Sequence, residues 1–262
     1  MPFASPRSVE RLEDCYFYHS IDIPGHGEVG GEWDLRPGID EYLGGVDFRG
    51  KRVLDVGTAS GFLTFQLEAA GAAVASFDLS EDWAWDVVPH HDVATDQIID
   101  QRRQHMRRIN NGYWLCHGAF KSRAKAVYGT TYDIPLAIGP VDIAIYGSIL
   151  LYLRDPFLAL QGGARLATEA IVVADVGPHG PFGRLLRQPV FIPKPGRSDD
   201  PYTWWSLPPR FVANCLAVLG FPHATVSWHR QLFLGKKRWL YTVVGRRSAV
   251  HFGKTAPSRQ PL

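Results

Sequence analysis

Four stretches of the chain are apolar at nearly every position: Val53–Val56, Ala73–Phe77, Val141–Tyr146 and Ala170–Ala174. Runs without alternation are the pattern of strands covered on both faces. A shorter run, Lys125-Ala126-Val127-Tyr128-Gly129, starts a further strand that ends near Tyr132-Asp133-Ile134-Pro135. Between the runs the spacing changes to three and four. Phe62, Leu63, Phe65 and Leu67 form one helical face, and a polar helical run covers Asp92–Asn110. Asn111–Arg123 reads as a separate helix carrying Tyr113, Trp114, Leu115 and Phe120. Asp155-Pro156 is a helix start, opening an amphipathic helix over Phe157–Leu166. Strands alternating with helices predict parallel βαβ units with right-handed crossovers. After a helix at Pro208–Leu219, stopped by Gly220, the segments Ala224–Leu234 and Arg238–Gly245 read as a closing antiparallel pair joined at Gly235-Lys236-Lys237.

The flanks lack this rhythm. Residues 1–50 form a cap segment, with a short helix at Ser8–Tyr16, a Gly- and Pro-rich loop, and a second short helix through Tyr42-Leu43. Residues 83–124 are a helical insertion. Residues 177–209 form a Pro- and Gly-rich loop, of the length usually kept for function. The main domain is 51–246, and 247–262 read as a loose basic tail.

Composition narrows the function. The 28 Lys and Arg nearly balance 26 Asp and Glu, which is not the footprint of a dedicated nucleic-acid binder. The three cysteines, Cys15, Cys116 and Cys215, are too scattered for a metal site and read as reduced thiols of a cytoplasmic protein. There is no apolar run long enough for a membrane span and no signal-peptide core at the start. His90-His91 has no partner acids or thiols at ligand spacing, so no metal is expected.

The chemistry gathers where the first buried strand ends. Asp55-Val56-Gly57-Thr58-Ala59-Ser60-Gly61 turns a strand into a helix, with a glycine at each end of the turn. Glycine permits positive φ and close approach of a ligand, and the free amides of a new helix favour polar groups. The spacing is not that of a dinucleotide fingerprint, because Ala59 and Phe62 stand where glycines are needed. One strand later comes Asp78, at a tip where an acid can accept two ribose hydroxyls.

The Asp55-x-Gly57-x-x-x-Gly61 phrase resembles the first motif of class I S-adenosylmethionine-dependent methyltransferases, with Ala59 in place of the usual middle glycine. The resemblance covers about 36–246. It implies a Rossmann-like α/β fold, with a seven-stranded, mostly parallel sheet and a closing antiparallel hairpin. It also implies S-adenosyl-L-methionine as cofactor. The methionyl end is expected on Asp55, Gly57, Thr58, Ala59 and Gly61, the ribose on Asp78 with Leu79, and the adenine near Asp133 and Ile134, with Gly147 at the next strand tip. The phrases Tyr18-His19, Trp33–Arg36, Gly147–Pro156 and Thr203–Trp205 are similar to the tRNA wobble-uridine (5-methoxyuridine and 5-carboxymethoxyuridine) methyltransferase-like branch, whose members differ in substrate.

The expected activity is transfer of a methyl group to O or N of a small-molecule acceptor in a lidded pocket. The alternatives are tRNA, for which Arg102, Arg103, Arg107 and Arg108 are the phosphate-binding candidates, rearrangement of S-adenosylmethionine itself, and a cofactor-binding module without catalysis. Trp33, Arg36, Tyr152, Trp204 and Trp205 are the acceptor-side candidates, with Tyr146 as a further aromatic wall. Trp33–Arg36 is expected to meet the 177–209 loop over the methyl group. Arg36 there suits an acceptor carboxylate or phosphate. A base, where the acceptor needs one, is sought among His19, His26, His117, His179 and Tyr152.

Overall fold

The computed structural model describes residues 3–83, 85–177, 186–196, 198–248 and 260–261. A cap of short elements comes first: β1 (Ile21–Ile23), β2 (Gly27–Val29), β3 (Trp33–Asp34) and α1 (Ile39–Tyr42). The alternating part follows as β4 (Arg52–Val56), α2 (Phe62–Ala69), β5 (Ala73–Asp78), α3 (Thr95–Ala119), β6 (Lys125–Tyr128), β7 (Val141–Gly147), α4 (Pro156–Ala164) and β8 (Ala167–Val176). The end of the chain holds β9 (Val190–Phe191), β10 (Trp205–Ser206), α5 (Pro209–Val218), β11 (His223–Phe233), β12 (Lys236–Arg246) and β13 (Gln260–Pro261).

The main sheet runs β13-β11-β12-β8-β7-β4-β5-β6, with β3 also paired to β11. The pairs β6–β5, β5–β4, β4–β7 and β7–β8 are parallel, whereas β12 is antiparallel to β8 and to β11. The seven-stranded order expected from the resemblance is present, and the two-residue strands β3 and β13 bring the sheet to nine. The order reverses at β4, between β5 and β7, so the β4–α2 turn lies where open α/β sheets take ligands.

Both faces are covered, as the unbroken apolar runs require. One core joins α2, α3 and the cap on one face, with Phe62, Phe65, Tyr113 and Ile145 buried in it. The other joins α4 and α5 through Leu54, Ile171, Leu160 and Leu216. The Asp155 side chain caps α4 by accepting from the Leu158 amide at 2.9 Å.

Three local expectations are corrected. Ser8–Tyr16 makes only a 3-10 turn at Leu12–Asp14. The hairpin turn is the two residues Leu234 and Gly235, at φ 47° and 72°, so β12 starts at Lys236. The two helices expected over 92–123 are one, α3, unbroken through Asn110-Asn111-Gly112. The glycine is there for contact, since a Cβ would stand 2.9 Å from the Tyr16 carbonyl oxygen. The asparagines reach outward, Asn110 donating to the Leu79 carbonyl and Asn111 to that of Asp14. Asn110 meets the residue that follows β5, and the preceding fifteen residues of α3 run on for about 22 Å along the helix axis.

Candidate active site

The β4–α2 turn is stitched to the neighbouring strand. The Gly57 and Thr58 amides both donate to the Phe77 carbonyl, at 2.8 and 3.2 Å. Gly57 and Gly61 have φ of 80° and 90°, and a Cβ on either would stand 2.4–2.5 Å from Ile149 or Phe65. Ala59 departs from the motif at a cost, holding φ 49°, a left-handed geometry that burdens a side chain by about 1 kcal/mol. Gly61 caps α2 without a side-chain partner, leaving the first-turn amides of α2 outside the helix ladder.

Beneath the turn lies a buried polar chain. Tyr113 donates to Ser76 Oγ, the Ser76 and Thr58 hydroxyls meet Thr64 Oγ1 at 2.8 Å each, and Thr64 donates to Asp55 Oδ2 at 2.8 Å. The other oxygen of the fully buried Asp55, Oδ1, is buried without a partner. Burial raises the Asp55 pKa against the pull of the Thr64 and Thr58 hydroxyls and the Thr64 amide. Asp78 closes the turn from β5, with Oδ2 accepting from the Ala59 amide at 2.6 Å and Oδ1 from Leu79 at 2.7 Å. Burial pushes its pKa up to about 6, and the two amides hold it back.

The other strand tips contribute unevenly. Gly147 ends β7 with no room for a side chain, as a Cβ would lie 2.7 Å from Leu63. After it Ser148 sits at φ 54° with its hydroxyl 3.2 Å from Tyr42 Oη. Asp133 is exposed beyond β6. Ile134 turns its side chain into the lower core against Gly162, so it props this loop from below. Asp175, at the end of β8, was not singled out from the sequence. It is 2% exposed, with Oδ1 on the Val176 amide and Oδ2 unpartnered, and burial lifts its pKa to about 7.

Of the base candidates, His19 reaches the site. Its ring stacks on Phe62, the first residue of α2, at 5.3 Å, Nδ1 is buried without a partner, and burial lowers its pKa to about 4. Tyr152 follows β7 and stays 42% exposed, with its pKa pushed to about 12 by burial first and then by Asp175. His117 lies near the far end of α3, bonded to the Ala124 carbonyl, and with His26 it lines a separate cavity of about 440 Å³. Neither joins the turn. His179 falls outside the described residues.

The acceptor-side candidates are rearranged most. Arg36 is consumed by acids of the cap: Nε and Nη2 donate to Asp34 at 2.8 and 2.9 Å, Nη1 to Asp22 at 3.1 Å, and Nη2 to Glu28 at 2.8 Å. It is no free prong for a ligand. Trp33 packs on Phe233 and its backbone clamps Tyr18 and Ser20, so it supports the segment carrying His19. Tyr146 is wholly buried and donates to the Ala159 carbonyl, a core role in place of a site wall. Trp204 is buried and Trp205 lies beside the exposed Phe191, 5.4 Å between ring centres. The described part of the loop holding them docks on the β5–α3 connection and the segment after β7, and Trp33–Arg36 docks on β11, so among the described residues the expected meeting of the two is replaced by separate attachments.

That docking centres on Asp86, also missed in the sequence. Its Oδ2 accepts from Tyr132 Oη and, at 2.8 Å, from the Arg154 amide; its carbonyl accepts from Trp204 Nε1 at 2.8 Å. The loops after β5, β6, β7 and β8 are thereby joined over the carboxyl edge.

No protein-family model and no curated protein matches the chain. Solved structures share its fold. The N-terminal domain of EvdMO1 with S-adenosylhomocysteine bound aligns at a TM-score of 0.54 and 17% identity, covering 90% of this chain and 92% of that one. A SAM-dependent methyltransferase from Methanosarcina mazei gives 0.52 at 14% identity over 82% and 98%. Magnesium protoporphyrin IX methyltransferase from Synechocystis, with S-adenosylhomocysteine, gives 0.50 at 14% identity over 77% and 76%. The chain has the Rossmann-like methyltransferase fold, and identities this low speak to the fold alone.

Proposed function

We propose that the chain binds S-adenosyl-L-methionine across the β4–α2 turn and β5 tip, and is an enzyme transferring its methyl group to O or N of a small-molecule acceptor. The observation that carries this reading is the orphaned Asp55 Oδ1, buried beneath a turn that has no room for side chains at Gly57 and Gly61. A buried acceptor without a donor calls for a ligand group such as an ammonium. Asp55 and the turn would hold the methionyl end and Asp78 the ribose, its oxygens each having a lone pair beyond the amide already accepted. Bound there, the cofactor supplies an already activated methyl electrophile.

The chain's own part is alignment, exclusion of water and custody of one proton. Tyr18, His19 and Tyr152 rim the acceptor side, and the loops tied at Asp86 shut it off. The low pKa keeps His19 neutral at pH 7, which suits it to accept a hydrogen bond and orient an acceptor hydroxyl. Asp175, with a pKa near 7, is the better matched proton acceptor. A small acceptor is favoured over tRNA because the arginine run is not a free stripe. Arg103 pairs with Asp100, Arg108 donates to the Cys15 carbonyl and Arg102 lies against Tyr202, which leaves Arg107 as the one of the four exposed without a partner among the described residues.

Calorimetry with S-adenosylhomocysteine tests the reading. The wild-type chain should bind it, and Asp78→Ala should lose about 1–3 kcal/mol. A folded wild-type chain that takes up none refutes the proposal. Chromatography with mass spectrometry after incubation with S-adenosylmethionine alone separates transfer, which leaves that compound intact when no acceptor is present, from rearrangement, which converts it into a separable product of the same mass or into fragments.

A further inference from the structure

Arg102 is the unusual cation of this site. It sits on the face of α3 that continues through Met106, Ile109 and Tyr113 into the core, three residues that are nearly wholly buried. The next residue, Arg103, is exposed and paired with Asp100. The Arg102 guanidinium instead sits in the corner made by two nearly perpendicular rings, 3.7 Å from the centre of Tyr202 and 4.8 Å from that of Trp85. Among the described residues no carboxylate lies within ion-pairing distance of it. Contact with ring faces uses none of a guanidinium's N–H donors, and among the described residues none of those of Arg102 has a hydrogen-bond partner. A second donor stands beside it, the Trp85 indole Nε1, buried without a partner. Arg102 is eight residues before Asn110, so it lies about 12 Å from it along the axis of α3.

The charge reaches Tyr18, beside His19, and Tyr152, after β7. It lowers the proton affinity of both against the rise that burial causes, and with Arg108 it adds to the effect of burial in keeping His105 neutral. Three acids face Tyr152 as well: Asp175 at the β8 tip, whose Oδ1 accepts from the Val176 amide, and two more. Glu32 is engaged by the Tyr16 hydroxyl, and Asp200 by the Tyr202 and Thr203 amides. None of the three reaches Arg102.

We propose that Arg102 and the Trp85 indole N–H bind an anionic group, a carboxylate or a phosphate monoester, carried by the acceptor. The inference names the substrate class for the methyl-transfer reading and rests on it only for the word acceptor. It also moves the role expected of Arg36 to a residue on α3, where the guanidinium is not neutralised by its own neighbours.

The test is calorimetric titration of the full chain, with and without saturating S-adenosylhomocysteine, by benzoate, phenyl phosphate and the neutral benzyl alcohol. The expected result is one-site binding of at least one anion. Arg102→Ala and the length-preserving Arg102→Gln should weaken it tenfold or more, and Trp85→Phe by threefold or more, whereas Arg103→Ala should stay within twofold. Whichever of benzoate and phenyl phosphate binds more tightly identifies the group. Preference for benzyl alcohol, no anion binding to the folded chain, or equal affinity in a folded Arg102→Gln chain overturns the proposal. The two readings fail separately: anion binding that depends on Arg102 without any uptake of S-adenosylhomocysteine would sink the cofactor reading and leave the anion site standing.

Discussion

The sharpest physical consequence of the site concerns Asp175. Its folded pKa is near 7 against an ordinary 3.8, with burial as the cause and one oxygen unpartnered. An acid whose pKa is raised by folding is held protonated in the native chain at pH values where the unfolded chain has released its proton. The folded state thus gains protons relative to the unfolded one, and stability falls as pH rises from about 4 to about 7, then levels off. Each tenfold change in proton affinity is worth about 1.4 kcal/mol, so the full fall is about 4 kcal/mol. Roughly 3 kcal/mol of it lies above pH 5. Asp175→Asn keeps the shape and removes the titration. It adds a buried N–H, a constant cost of about 1–3 kcal/mol. Urea unfolding of both chains at pH 5 and pH 8.5 isolates the titrating part, because the constant cost cancels between pH values. Asp78, which titrates in the same window with a pKa near 6, is present in both chains and cancels too. The variant should gain about 3 kcal/mol on wild type between the two pH values. A difference unchanged within about 0.5 kcal/mol would show that Asp175 titrates as an ordinary carboxylate and that the β8 tip is wetter than described.

Two more outcomes follow from the turn and the knot of loops. Ala59→Gly relieves left-handed strain of about 1 kcal/mol and loosens the unfolded chain by about as much, so urea unfolding should show it within about 1 kcal/mol of wild type, whereas Gly57→Ala, which must displace Ile149, should lose more than about 2 kcal/mol. Asp86→Ala removes the acceptor shared by Tyr132 and Arg154, and should speed amide exchange in 130–133 and 151–156 by tenfold or more, with S-adenosylhomocysteine affinity within about threefold of wild type.

The buried strands and the β4–α2 turn were legible in the sequence because their signals are local. Unbroken apolar runs mean two covered faces, and Asp55, Gly57, Gly61 and Asp78 stand in one βαβ unit. What was missed depends on partners far along the chain. Asn110-Asn111-Gly112 reads as a helix break, yet the helix continues because its neighbours supply contacts for both amides and a surface for the glycine. Trp33-Asp34-Leu35-Arg36 reads as a ligand clamp, but Asp22 and Glu28, placed by the β1–β2 hairpin, neutralise the arginine. Arg102 reads as one of four equivalent arginines until Trp85 and Tyr202 are brought around it. Asp86 and Asp175 sit in stretches with no motif, and only the fold gives them burial and partners.

The two halves of the site have different ranges along the chain. Residues 52–78 build the turn, Asp55 and Asp78 within a single strand–helix–strand unit. The Asp86 knot joins positions 46, 68 and 118 residues away. Contacts of short range form early in folding, and those of long range wait for the sheet to be in place. The same ordering is expected in reverse for the native protein, because hydrogen bonds centred on the one residue Asp86 tie the loops together, whereas a packed core secures the turn. Loops tied at one carboxylate are expected to part without the strands separating, which would give the proposed acceptor a way in and out while the turn keeps its shape.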